Sequence, residues 1–312
     1  AYELTELVLP NRLTAIGDYA FYNATKLAGI TFGAQTRILS IGKAAFSLCG
    51  KNAAISEGFT LTVPGAIAVI GESAFAQACF TEVVFENGSA ALNIGANAFE
   101  ACKSLTKLTL PSNLATFGDN ATLDCSALTE YVGDNLSEVT AGGFKAENGI
   151  LYVYENGKVK NFFVPASYAF GDTETFVINS DVTEIGANAF KNSKIKKIDF
   201  NNVQTIGEGA FKNSSVEEID LKSVTEIGNN AFGNCSSLVS VKGASVATIG
   251  NAAFYGASKL AEFNASGEDK FVIPATVTAI GNEAFKSTAI ESLLIADGQL
   301  AVTIGDYAFA NV

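Results

Sequence analysis

Chemistry needs groups that can hold a metal, move a proton or attack a bond, and the densest such set in this chain is acidic. Glu217, Glu218 and Asp220 follow Lys196, Lys197 and Asp199 at a spacing of 21 residues. Three carboxylates could coordinate calcium or divide general acid and base roles. Neither reading is persuasive. The segment alternates as a strand does, so Glu217 and Glu218 point to opposite faces of an ideal strand. No Asp-x-Asp-x-Asp-Gly loop is present, and an open strand face lacks the enclosure that lifts one carboxyl's pKa. Histidine is absent altogether, which removes the usual general base, the Ser-His and Cys-His pairs and the commonest zinc ligand. The 29 glycines recur with a repeat instead of forming a phosphate loop. No catalytic residue, metal or cofactor is expected, and the chain is read as not an enzyme.

What positions these residues is a repeat. Ile-Gly-x-x-Ala-Phe occurs with its phenylalanines at Phe21, Phe46, Phe75, Phe99, Phe190, Phe211, Phe232, Phe254, Phe285 and Phe309. Two degenerate copies fall in the long gap, Phe117 to Thr122 and Val139 to Phe144, so about twelve turns are expected. The spacing is mostly 21 to 25 residues and stretches to 29 and 31, which is solenoid spacing. Downstream of each hexapeptide sits apolar-x-x-apolar-x-apolar, as in Leu105-Thr-Lys-Leu108-Thr-Leu110 and Ile195-Lys-Lys-Ile198-Asp-Phe200. Its alternation predicts a short strand, closed by Pro10, Pro64, Pro111 or Pro274 in four cases. Stacked coils then give a parallel sheet whose inner face buries the Leu/Ile ladder. The hexapeptide Ile and Phe form the opposite wall, Ala allows close backbone approach, and Gly is assigned a conformation closed to residues with a Cβ. The 23 phenylalanines thus read as a core ladder and not a ligand platform.

These residues resemble the BspA-type leucine-rich repeat proteins of bacterial and some protist cell surfaces. The likeness runs from about Leu4 to Phe309, with Ser104 to Pro111 and Ser236 to Val241 reading as members. It implies an α/β-type repeat solenoid, mostly β with irregular or short helical convex segments. The form expected is a right-handed leucine-rich-repeat solenoid of about twelve coils with a parallel sheet. Residues 1–312 are read as a single solenoid with a β-hairpin insert at about 146–166. The resemblance further implies a secreted or cell-surface bacterial protein with an adhesive or protein-binding role, but it supplies no ligand-specific motif.

Cys49, Cys102 and Cys235 lie three residues after a repeat Phe, Cys125 three after Thr122, and Cys79 four after Phe75. Ala24, Ser193, Ser214, Ala257 and Thr288 hold the same place in other turns, so the position takes small buried residues. Bridges Cys49/Cys79 and Cys102/Cys125 stay open, although in-register side chains run parallel rather than toward each other. Cys235 is expected to be a free buried thiol. In the insert, Asn156-Gly157 between β-formers predicts a hairpin turn. It would pair Glu155 with Lys158, Tyr154 with Val159 and Tyr152 with Asn161. Ile150, Tyr152, Tyr154, Val159 and Phe163 then share a face that packs on the coils or awaits a partner.

The formal charge is -12 and no basic cluster is present. Nucleic acid and anionic membranes are therefore poor partners. No run of about 18 apolar residues exists, so the chain itself should not insert in a membrane. It starts without Met, and a signal or anchor segment is expected to lie outside it. The broad surface left for function is the outward, concave strand face: Thr106, Lys107, Glu130, Lys196, Lys197, Asp199, Glu217, Glu218, Asp220 and Lys242, joined by Tyr152 and Tyr154 of the insert. Lys196 and Lys197 facing Glu217 and Glu218 also admit a purely stabilising role. The expected partner is an extracellular protein, host or matrix, or a glycan, and the chain is expected to be a monomer. A structural envelope spacer and a carbohydrate-binding surface protein are the rival readings.

Overall fold

In a computed structural model the chain is described over residues 3–33, 36–51, 59–133, 142–155, 158–170, 175–264, 271–298 and 300–312. It is a parallel β-solenoid of about twelve turns, with no helix among the described residues. The convex segments are thus irregular turns, not short helices. Contacts gather the chain into two units. One holds residues 1–157 and 164–168, the other 158–163 and 169–312.

In the first unit the predicted strands form parallel ladders. Glu6–Leu9 pairs with Gly29–Phe32, and Thr60–Val63, Glu82–Phe85, Lys107–Leu110 and Glu130–Gly133 make a four-stranded sheet. In the second unit Phe176–Val177, Lys197–Asp199, Glu218–Asp220, Ser240–Lys242, Glu262–Asn264, Phe271–Ile273 and Leu293–Ile295 make a seven-stranded sheet. The prolines end strands as expected, for Val63, Leu110 and Ile273 are the last residues before Pro64, Pro111 and Pro274.

Each unit also carries a second parallel ladder that the repeat reading left out. The residue before the hexapeptide and its Ile form short strands, such as Ser40–Ile41 beside Val69–Ile70 and Thr205–Ile206 beside Glu226–Ile227. Between the two ladders lies the core. The hexapeptide rings stack nearly parallel, Phe21 to Phe46 to Phe75 to Phe99 at 5.1, 5.4 and 5.4 Å. In the other unit Phe190 to Phe211 to Phe232 to Phe254 to Phe285 to Phe309 follow at 4.8, 5.0, 5.2, 5.1 and 5.3 Å. Stacked aromatic pairs add about 0.5–1.5 kcal/mol each beyond burial, so the ladder is cohesive along its length.

The hexapeptide glycine has a different cause from the one expected. None of the ten has a left-handed φ. A Cβ on Gly71 would instead stand 2.7 Å from the Gly42 carbonyl carbon and the Lys43 nitrogen, and one on Gly250 2.6 Å from the Gly228 carbonyl carbon. Gly17, in the first coil, meets nothing within 4 Å. The left-handed residues are two places further on and again two after Phe, as at Tyr19 and Asn23, Asn188 and Asn192, Asn230 and Asn234. Between them alternate amides serve different ends. Tyr19, Phe21 and Asn23 donate N–H to the carbonyls of Lys43, Ala45 and Ser47 of the next coil, while Tyr22 and Ala24 close local turns on Tyr19 and Phe21. Asn is common at both places because its short polar side chain tolerates this conformation.

The two degenerate copies fare differently. Phe117 to Thr122 is a genuine corner, with Asn120 left-handed. The ring missing at Thr122 is supplied by Tyr131, whose hydroxyl lies 2.5 Å from Thr122 Oγ1 and whose ring meets Phe117 edge-on. Phe144 is not a corner. It lies in the strand Gly142–Glu147, antiparallel to Ile150–Glu155, while Val139 to Ala141 lie outside the described residues. Asn148 and Gly149, both with positive φ, make the two-residue turn that joins these strands, as a primed hairpin turn demands. A hairpin not expected from the sequence therefore precedes the predicted one. The turn predicted at Asn156-Gly157 lies outside the described residues, and Lys158–Phe163 is a strand.

Candidate functional site

Side chains alternate across a strand, so fixing the inner residues fixes the outer ones. Leu108, Ile198, Ile219 and Val241 are buried. Their neighbours on either side therefore make two outward columns. In the first unit, Glu82, Lys107 and Glu130 stand opposite one another in register, and Lys107 Nζ lies 3.5 Å from Glu130 Oε1. Thr106 and Thr129 precede these strands and each tie one coil to the last. Thr106 Oγ1 donates to the Thr81 carbonyl, and Thr129 Oγ1 to that of Thr106, both at 2.9 Å.

In the second unit Lys197, Glu218 and Ser240 form one column and Asp199, Asp220 and Lys242 the other. Lys197, Glu218, Asp220 and Lys242 are exposed, and Lys196, Asp199 and Glu217 are half-buried. The expected facing of Lys197 and Glu218 is met in register, yet among the described residues the two make no ion pair within 4.0 Å. Asp199 turns instead to Lys222, beyond the end of the next strand, and also accepts the Asn201 N–H. The ammonium hydrogen bond, seconded by that backbone N–H, holds the Asp199 carboxyl below its ordinary value. Among the described residues no cluster of acids, Cys or His could hold a metal ion.

Tyr152 and Tyr154 belong to the hairpin of the first unit, opposite Lys145 and Gly143. Both are half-buried, and burial, with Glu147 nearby, pushes the Tyr152 hydroxyl up to about 12. The hairpin is docked by its turn, where the Gly149 carbonyl accepts the Tyr131 N–H at 2.9 Å and Ile150 and Leu151 are buried.

All five cysteines are unbridged. Cys49, Cys102, Cys125 and Cys235 each donate their thiol to the carbonyl of the hexapeptide Phe one coil back, at 3.3, 3.1, 3.0 and 3.0 Å. Each thiol thus reaches a carbonyl of the preceding coil, and Cys102 also lies within hydrogen-bonding reach of the Cys125 thiol without a bridge between them. Burial pushes Cys49 up to about 12, Cys235 to about 11 and Cys102 well above its ordinary value.

A cleft also has no counterpart in the sequence reading. The strands Gly29–Phe32 and Thr60–Val63 share no ladder, and a cleft of about 650 Å³ opens where the sheet divides. A break in an otherwise regular ladder has no residue signature; only the 29-residue interval between Phe46 and Phe75 hinted at it.

The BspA type leucine rich repeat region family matches residues 1–129, 58–173, 165–269 and 263–312. No curated protein matches the chain. Among solved structures, the pneumococcal vaccine antigen PcpA is 20% identical, with a TM-score of 0.64 over 94% of this chain and 79% of that one. A leucine-rich repeat protein from Eubacterium ventriosum is 20% identical, with a TM-score of 0.62 over 91% and 82%. A leucine rich cell surface protein from Faecalibacterium prausnitzii is 21% identical, with a TM-score of 0.60 over 95% and 80%. These likenesses share the fold, and the matched repeats, spanning nearly every coil, carry the conclusion: the chain belongs to the BspA-type leucine-rich repeat family.

Proposed function

We propose that this is an extracellular or cell-surface interaction module without catalytic activity, which contacts a protein partner through its outward strand columns. The observation that carries the reading is the second unit's exposed column, where Lys197 and Glu218 stand in register without pairing. Surface charges that do not neutralise each other keep their full capacity to complement a partner. Membership of a repeat family with a cell-surface relative agrees with this, and no helix among the described residues is long and apolar enough to cross a membrane.

The test is a binding screen against extracellular matrix proteins and mucins, repeated with Lys196→Glu, Lys197→Glu, Glu217→Lys and Glu218→Lys combined. Reversing rim charges should weaken the partner's binding by about tenfold or more, with the thermal transition kept. A folded variant that binds as the parent does would refute the reading, as would the absence of any partner, which favours an envelope spacer.

A further inference from the structure

We propose that the cleft between the strands Gly29–Phe32 and Thr60–Val63 is a binding site for a neutral glycan, independent of the second unit's strand columns. Its chemistry is unlike the rest of this acidic chain. Thr31, Thr60 and Thr62 line it with exposed hydroxyls that have no hydrogen-bond partner among the described residues. Glu86 is the single charged group in the lining, and no Lys or Arg is present there. Asn87 Oδ1 is taken by the Ser112 N–H and Oγ at 2.8 and 3.0 Å, which leaves its NH2 group as a donor. Half-buried Phe32 and Pro64 add apolar surface.

A sugar presents the matching set, with hydroxyls that both donate and accept, and C–H faces that pack on apolar surface. The threonine hydroxyls can act in both senses, the Asn87 amide donates and the Glu86 carboxylate accepts from paired hydroxyls. A phosphate or sulfate would find no cation to offset its charge. The volume falls in the range of ligand sites, about 300–1,000 Å³. The site forms because the sheet divides there: two strand edges share no ladder, and edge groups left unpaired are available to a ligand.

The intact protein should be titrated calorimetrically with neutral oligosaccharides, glucans, mannans and galactans, alongside heparin and a basic peptide. Saturable binding of at least one neutral glycan is expected, weakened about tenfold or more by Thr62→Arg and by Glu86→Gln. It should be unchanged by Lys197→Glu with Glu218→Lys. Both cleft positions are exposed, so the variants should keep the parent's thermal transition; if Thr62→Arg does not, Glu86→Gln decides. The proposal is overturned if no neutral glycan saturates, if heparin or the peptide binds instead, or if folded cleft variants bind as the parent does. Loss of protein binding in the column variant with glycan binding kept would show the two surfaces to be separate.

Discussion

Gly71 and Gly17 hold the same place in the hexapeptide, yet a methyl group would meet backbone at 2.7 Å in one and nothing within 4 Å in the other. Backbone cannot yield as a flexible side chain can, so Gly71→Ala should cost about 2 kcal/mol. Gly17→Ala should be neutral or stabilising by about 0.5 kcal/mol through the unfolded chain. Denaturant unfolding of the pair measures the contrast, and equal losses would remove close coil approach as the reason for the glycine. The thiols make a second residue-scale prediction. Burial raises Cys49 to about 12 and Cys235 to about 11 from an ordinary 9.0, so the protonated forms favour the fold. That contribution is complete below pH 9 and is lost as pH climbs through 11 and 12. At pH 8 a thiol reagent should therefore modify Cys49, Cys102 and Cys235 only after denaturant is added; rapid reaction of these three in the native protein would contradict the packing.

At the scale of the element, the corner at Thr122 shows how a lapse in the repeat is repaired. Tyr131 replaces the missing ring and joins its hydroxyl to Thr122. Thr122→Phe alone should overpack against Tyr131 and destabilise by about 1–3 kcal/mol, and adding Tyr131→Leu should recover most of that loss. Additive losses in chemical unfolding would mean the two side chains do not share the space. The strands and the phenylalanine ladder were readable because period and residue type agree in copy after copy. Two features were not. Short strands such as Ser40–Ile41 are two residues long, too brief for alternation to register. The hairpin at Asn148-Gly149 is hidden in the sequence because Asn156-Gly157 carries the same dipeptide between stronger β-formers. The cause of the hexapeptide glycine is not legible either, because a close approach between coils and a left-handed φ both select a residue without a Cβ, and sequence alone does not separate them.

At the scale of the whole molecule, a repeat that spends its apolar residues on the core leaves the outward columns free to vary without loss of the fold. That is why the columns were legible as positions, though not in their pairing. Register places Lys197 opposite Glu218, but Asp199, whose own register neighbour Asp220 is another acid, reaches for Lys222 two residues past the next strand. The charge of -12 favours partners that are basic or neutral where they touch the second unit. The most direct test is lysine footprinting of the protein with and without the partner recovered from the binding screen. Protection is predicted at Lys197 and Lys242, on the exposed strand columns, with Lys103 and Lys212, which follow repeat phenylalanines at the corners, labelled equally in both states. Protection at the corner lysines with Lys197 and Lys242 unchanged would contradict the assignment of the strand columns as the interaction surface.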